Sequence, residues 1–149
     1  MMLSRKAEDY LEAILNVTLE KGYAKTKDIA ERLGVQPPTV VEMVQKLDRK
    51  GMLVYRRYEG VVLTPQGRSI AEVIKHRHDT LTAFLTAIGV SRSTADRDAC
   101  IIEHELSQES VEQIRQYVEF LKTPRPQQLL KAEFERFCRS AADPGTGSG

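Results

Sequence analysis

The chain has no apolar run approaching the roughly 18 residues that a membrane-spanning helix requires. Its first residues, "MMLSRKAEDYLEAI", lack a continuous apolar core and a small-residue cleavage site, so no secretory signal is expected. Cysteine is scarce. Cys100 and Cys138 are too few for a disulfide framework, and a reducing, cytoplasmic setting is the expectation. There is no internal repeat. Net charge is nearly absent, at +1, and says little about partners.

The distribution of charge says more. Residues 24–68 carry nine Lys/Arg and five Asp/Glu, while both flanks are mildly acidic. A locally basic surface on a near-neutral protein suits contact with a polyanion.

The apolar spacing is mostly helical. Tyr10, Leu11, Ile14 and Leu15 mark a first helix from about Arg5 to Lys21, stopped by Gly22. "TKDIAERLG" reads as a short helix with Thr26 as N-cap. Pro37 and Pro38 open a third helix carrying Val40, Met43, Val44 and Leu47. "MLVYRRYEGVVLT" switches to alternation and predicts a hairpin turning at Glu59-Gly60. Thr64 and Pro65 start a long helix that runs past Phe84. After Gly89 come a helix over "ACIIEHELS", another through Val111–Leu121 broken by Pro124 and Pro126, and a last amphipathic helix. Cys138, near Phe134 and Phe137, reads as core. The fold class is mostly α with a small β-hairpin wing. The expected domains are a winged helix-turn-helix over 1–72, a helical domain over 73–141, and a disordered tail over 142–149.

Helix, tight turn, helix and hairpin is the order of a winged helix-turn-helix, whose second helix enters the DNA major groove. The candidate base contacts are Gln36, Pro37, Pro38, Thr39 and Glu42. Lys46 and Arg49 would meet phosphates, Arg56 and Arg57 the backbone or minor groove, and Thr26 joins the candidates at the start of the preceding helix. The competing reading is a compact element for protein contacts.

Cys100, Glu103 and His104 stand at i, i+3 and i+4, where helical neighbours lie about 5–6 Å apart. Thiolate, carboxylate and imidazole together suit a transition metal such as Fe2+, Mn2+, Co2+, Ni2+ or Zn2+. A buried structural cysteine beside an exposed Glu-His pair is the plainer alternative. "HELSQ" has no second histidine four residues after His104, so the zinc-hydrolase motif is missing and an enzyme is not expected. Asp9 and Glu12 on the first helix, and His78 on the long helix, can add ligands if those helices pack together. His76 is the competing imidazole.

The pieces "AEDYLEAI", "DIAERLGVQPPTVVEMVQKLDRKGML", "GVVLTPQGR", "HRHDTLTAFLTAIGV" and "ACIIEHELS" give the chain a resemblance to the diphtheria-toxin-repressor and manganese-repressor family of metal-dependent transcriptional regulators. The resemblance implies an N-terminal winged helix, a helical dimerisation domain and metal bound where they meet. By position, Asp9, Cys100, Glu103 and His104 match one ligand group, and Glu12 and His78 match a neighbouring one. Iron-type members place a Met where Asp9 stands and share the Cys; manganese-type members share the Asp and place a Glu where Cys100 stands. Iron-type members also use a second site whose ligand positions are here Thr82 and Asp96. The chain ends too early for the SH3-like third domain of some members.

The resulting expectation is a metal-dependent repressor that binds a palindromic double-stranded operator as a homodimer. Fe2+ is the first choice of ion and Mn2+ the second, with Zn2+ or Co2+ able to bind in vitro. No membrane or small organic partner is expected. The rivals are a winged-helix regulator using Cys100 as a thiol redox switch, and one that answers to a small molecule without metal.

Overall fold

The computed structural model describes residues 3–142, the side chains of 125–128 excepted. In chain order it has α1 Arg5–Lys21, α2 Thr26–Leu33, α3 Pro37–Arg49, β1 Leu53–Arg56, β2 Gly60–Leu63, α4 Pro65–Ala87, α5 Arg92–Ile102, α6 Gln108–Leu121 and α7 Pro124–Ala141. None of these helices is long and apolar enough to cross a membrane.

Local chemistry sets most boundaries. Ser4 Oγ accepts from the Ala7 N–H at 3.1 Å and caps α1, which Gly22 ends in the left-handed region. Thr26 does not cap α2. Lys25 is the N-cap and Thr26 the first helical residue, because Asp28 reaches back to the Lys25 N–H at 3.4 Å and takes the Lys21 ammonium at 2.8 Å. Pro37 opens α3, where a missing N–H costs nothing. Thr64 Oγ1 accepts from the Gly67 N–H at 3.1 Å, and Pro65 begins α4.

β1 and β2 pair antiparallel, with Leu53 opposite Leu63 and Arg56 opposite Gly60. The turn therefore comes earlier than Glu59-Gly60, and Tyr58 holds the left-handed conformation at φ 74°. The Val61 N–H donates to the Ala24 carbonyl at 2.7 Å, tying the hairpin to the α1–α2 link. Gly60 is required there: its φ is 112°, and a Cβ would lie 2.6 Å from that same carbonyl oxygen.

The main core joins Tyr10, Leu11, Ile14 and Leu15 of α1 to Ile29 of α2, Val40, Val44 and Leu47 of α3, Leu53 and Val61 of the hairpin, and Ala71 of α4. Helix α4 runs on unbroken past this unit. It packs against α1, and also against α5 and α6, where Leu81, Ala95, Ala99, Val111 and Val118 are buried. One helix thus belongs to both halves of the molecule.

Two expectations fail in the second half. Helix α5 ends at Ile102, so Glu103 and His104 lie in the turn before α6 rather than on a continuing helix. Cys138 is not core. It is exposed with Phe134 and Phe137, because α7 packs chiefly on α6 and covers little of its own apolar face. Pro124 starts α7 as its first residue instead of only ending α6. Most of the expected disordered tail, residues 143–149, lies outside the described residues.

Candidate functional site

Where α1 meets α4 and the α5–α6 turn, four stretches of chain bring acidic and imidazole side chains together. Helix α1 supplies Glu8, Asp9 and Glu12, α4 supplies His78, α5 supplies Asp96 and Cys100, and the turn supplies Glu103 and His104. The spacing of α1 is the cause on its side. Tyr10 and Leu11 must face the core, so Glu8, Asp9 and Glu12 fall along its edge, half-buried.

Among the described residues, ligand atoms gather in two groups. Asp9, Glu103 and His104 form one, and Glu12, His78 and Glu103 the other; within each, all ligand atoms lie within 4.8 Å of one another. Glu103 belongs to both and its side chain is wholly buried. Cys100 belongs to neither. It is exposed, with Sγ 3.7 Å from His78 Nδ1, and among the described residues it does not group with Glu103 and His104 as the helical spacing led one to expect. Glu103 keeps helical backbone geometry, its N–H bonded to the Ala99 carbonyl, while His104 in the turn reaches Glu8 and Asp9 of α1 and Cys100 stays on the exposed edge. Cys100 still lines a cavity of about 490 Å³ with Asp9, Glu12, His78 and Asp96. His76 is exposed on another face of α4, beside Glu72 and Glu112.

Both histidines are held at both ring nitrogens. His104 Nδ1 lies 2.7 Å from Glu8 Oε2, and its Nε2 lies 2.7 Å from Asp9 Oδ1. His78 Nδ1 lies 2.8 Å from Glu103 Oε2, and its Nε2 lies 2.7 Å from Asp96 Oδ1. Hydrogen bonding to Cys100 and Glu103 pushes the His78 pKa up to about 11 against the opposing effect of burial. Burial also opposes the charge on His104, but the Glu8 and Asp9 hydrogen bonds outweigh it and its pKa is raised. Glu12 is pushed up to about 7, first by burial and then by the negative charge of Glu103.

These groups fit a divalent cation. Among the described residues Glu12 Oε2 and Glu103 Oε1 are buried without a hydrogen-bond partner, and His104 Nε2 lies 3.3 Å from the latter. A buried carboxylate oxygen left so costs on the order of 1–3 kcal/mol or more. Without an ion, two protonated imidazoles offset the carboxylates only in part. Carboxylate and imidazole donors at this spacing are those that Mn2+, Fe2+ and Zn2+ accept.

Glu8 and Asp96 escaped the sequence reading as partners of the histidines, as did Arg77, whose guanidinium donates to the Glu103 carbonyl at 3.4 Å. The available signal for Glu8 was its place beside Asp9 in the first turn of α1.

Most of the candidate DNA contacts are exposed. Gln36, Pro37, Pro38, Glu42, Lys46 and Arg49 of α3 and its cap are exposed, with Thr39 half-buried. Among the described residues no carboxylate pairs with Lys46 or Arg49. Arg56 and Arg57 stand exposed on the hairpin, the first 3.6 Å from Glu59 and the second over the Tyr58 ring. Thr26 is half-buried at the start of α2.

The model of the iron-dependent repressor N-terminal DNA-binding domain matches residues 2–61, and that of the iron-dependent repressor metal-binding and dimerisation domain matches residues 64–128. The HTH-type transcriptional regulator MntR of Geobacillus kaustophilus (strain HTA426) is 47% identical over 115 residues, 77% of this chain and 82% of that protein. Among solved structures, T. acidophilum IdeR is 28% identical with a TM-score of 0.68, over 78% of this chain and 55% of that one. A manganese-dependent transcriptional repressor in complex with manganese is 29% identical with a TM-score of 0.65, over 76% of this chain and 53% of that one. The chain thus spans about half the length of these two solved structures. On both domain matches and this identity, the chain belongs to the iron-dependent repressor family, the metal-dependent DNA-binding transcriptional repressors of the diphtheria-toxin-repressor and manganese-repressor type, and not to an enzyme family.

Proposed function

We propose that this repressor senses Mn2+, with Fe2+ as the competing ion, through Asp9, Glu103 and His104 and through Glu12, His78 and Glu103. The observation that carries this reading is the composition of the two groups: each holds only carboxylates and an imidazole, and the thiol of Cys100 lies outside both. Oxygen-rich sites suit Mn2+, whereas a thiolate would draw Fe2+ or Zn2+. The MntR name of the 47% identical relative supports the same ion. The first expectation of Fe2+ rested on Cys100 as a direct ligand.

The proposed mechanism is a tie between helices. Asp9 and Glu12 belong to α1, which is packed into the same core as α3. His78, Glu103 and His104 belong to α4 and to the turn after α5. When bound, a divalent ion supplies positive charge that the crowded carboxylates share. Holding it, the residues on both sides fix α1 against α4, and α1 carries the orientation of α3. In a homodimer this sets the separation of two α3 helices, and only certain separations fit successive major-groove half-sites of a palindromic operator. Gln36, Pro37, Pro38, Thr39 and Glu42 would face base edges. Lys46, Arg49, Arg56, Arg57 and Thr26 would face the backbone. The second copy would sit on the apolar face where Ile88, Tyr117, Phe120, Leu130 and Phe134 are exposed. Domain boundaries at residues 72 and 141 and a cytoplasmic location belong to this reading.

The test is anaerobic equilibrium dialysis against Mn2+ and Fe2+. His104→Ala is expected to weaken Mn2+ binding at least tenfold, and Cys100→Ser to change it less than threefold. Loss of Mn2+ binding in Cys100→Ser would restore the thiol as a ligand and refute the manganese assignment.

A further inference from the structure

We infer that Asp96 is a positioning residue of the metal centre, holding the His78 ring so that Nδ1, and not Nε2, faces Glu12 and Glu103. The inference rests on the reading of Glu12, His78 and Glu103 as ligands and goes one step outward from it.

The His78 ring is gripped at opposite edges. Nε2 meets Asp96 Oδ1 at 2.7 Å, and Nδ1 meets Glu103 Oε2 at 2.8 Å. Turning the ring over would put carbon atoms at both places and break both contacts. The two grips differ in what happens when a cation is accepted. An imidazole ligates only through a deprotonated nitrogen, so Nδ1 must give up its proton and with it the hydrogen bond to Glu103. Asp96 is outside the ligand group and keeps its bond to Nε2–H throughout. A neutral imidazole has one N–H. Asp96 therefore selects the tautomer with that N–H on Nε2 and the lone pair on Nδ1, directed at the buried carboxylates. A carboxylate on the distal nitrogen also makes the ligating nitrogen a better donor.

The placement of Asp96 suits this role. It lies on α5 four residues before Cys100, on the same helix face. Its side chain is 64% exposed, and among the described residues His78 is its only ion-pair partner. It has no core to hold up, and among the described residues no Lys or Arg pairs with it.

The experiment is ring-nitrogen NMR of isotope-labelled protein saturated with Cd2+, together with calorimetric Cd2+ titration, for wild type, Asp96→Ala and Asp96→Asn. In wild type the Cd2+-shifted nitrogen of His78 should be Nδ1, with an observable proton on Nε2. Asp96→Ala should lose that proton signal and weaken Cd2+ binding by about 10- to 100-fold, the usual cost of removing such a partner. Asp96→Asn should recover most of the affinity, because its amide oxygen accepts the same hydrogen bond. Cd2+ on Nε2 in wild type, an unchanged Asp96→Ala, or an Asp96→Asn as weak as Asp96→Ala would each overturn the inference; the last would make Asp96 a direct ligand or a plain charge. Wild-type protein that takes up no Cd2+ would instead refute the metal centre itself. Circular dichroism of the metal-free variants should match wild type, since Asp96 is exposed.

Discussion

At the scale of single residues, α1 carries two buried groups with opposite prospects. Tyr10 is 2% exposed and its hydroxyl has no hydrogen-bond partner among the described residues, while burial and the nearby Glu42 charge raise its pKa. Removing an unpartnered hydroxyl from a core is close to neutral or favourable. Tyr10→Phe should therefore leave the unfolding free energy in urea unchanged or raise it by up to about 1 kcal/mol. A loss larger than that would reveal a partner that the hydroxyl does have. Glu12 is different because it titrates. Its pKa is about 7 in the fold against 4.5 ordinarily, so the metal-free fold binds that proton more tightly than the unfolded chain does. Stability from this source is complete below the ordinary value and is lost as pH rises through about 7. His104, with its own pKa raised, adds a loss of the same sign. The melting temperature of metal-free protein should fall between about pH 5 and 8, less steeply in Glu12→Gln, and saturating Mn2+ should abolish the fall. A wild-type melting temperature that rises over that interval without metal would contradict the shift.

At the scale of elements, the parts set by neighbouring residues were legible in the sequence and those set by distant packing were not. Ser4 and Gly22 bound α1 and Thr64 starts α4 through bonds spanning three or four residues, and Pro37 opens α3 through its fixed φ and missing N–H. Gly67 shows the limit of such reading. It sits in the first turn of α4, where alanine is ordinarily the better helix former, but a Cβ there would overlap the Met52 carbonyl. Gly67→Ala should lower stability by about 1–3 kcal/mol, read by thermal unfolding, where propensity alone predicts a gain. The end of α5 was misjudged because residues at i, i+3 and i+4 share a face only while the helix lasts, and nothing near Ile102 announces its exit. Five of the six metal candidates, Asp9, Glu12, His78, Glu103 and His104, still fall in the two groups, since acidic and imidazole residues at helix edges are visible as pattern. Asp96 was invisible as a partner of His78 because α4 and α5 meet only in the fold, and Cys138 was misplaced because the extent of cover over α7 is a tertiary fact.

At the scale of the whole molecule, one continuous α4 links a winged-helix core to the helices around the proposed metal centre, and α1 packs in that core and against α4. In the proposed mechanism ion and DNA act reciprocally: whatever the ion adds to DNA affinity, DNA adds to ion affinity, typically about 1–3 kcal/mol, or about 5- to 150-fold. The most direct measurement is fluorescence anisotropy of a duplex selected from a randomised pool in excess Mn2+, titrated with wild type and His104→Ala, each with Mn2+ and with chelator. Wild type should bind that duplex at least fivefold more tightly with Mn2+ than with chelator, and His104→Ala should bind it weakly in both conditions. Equal wild-type affinity with and without Mn2+ would contradict the account.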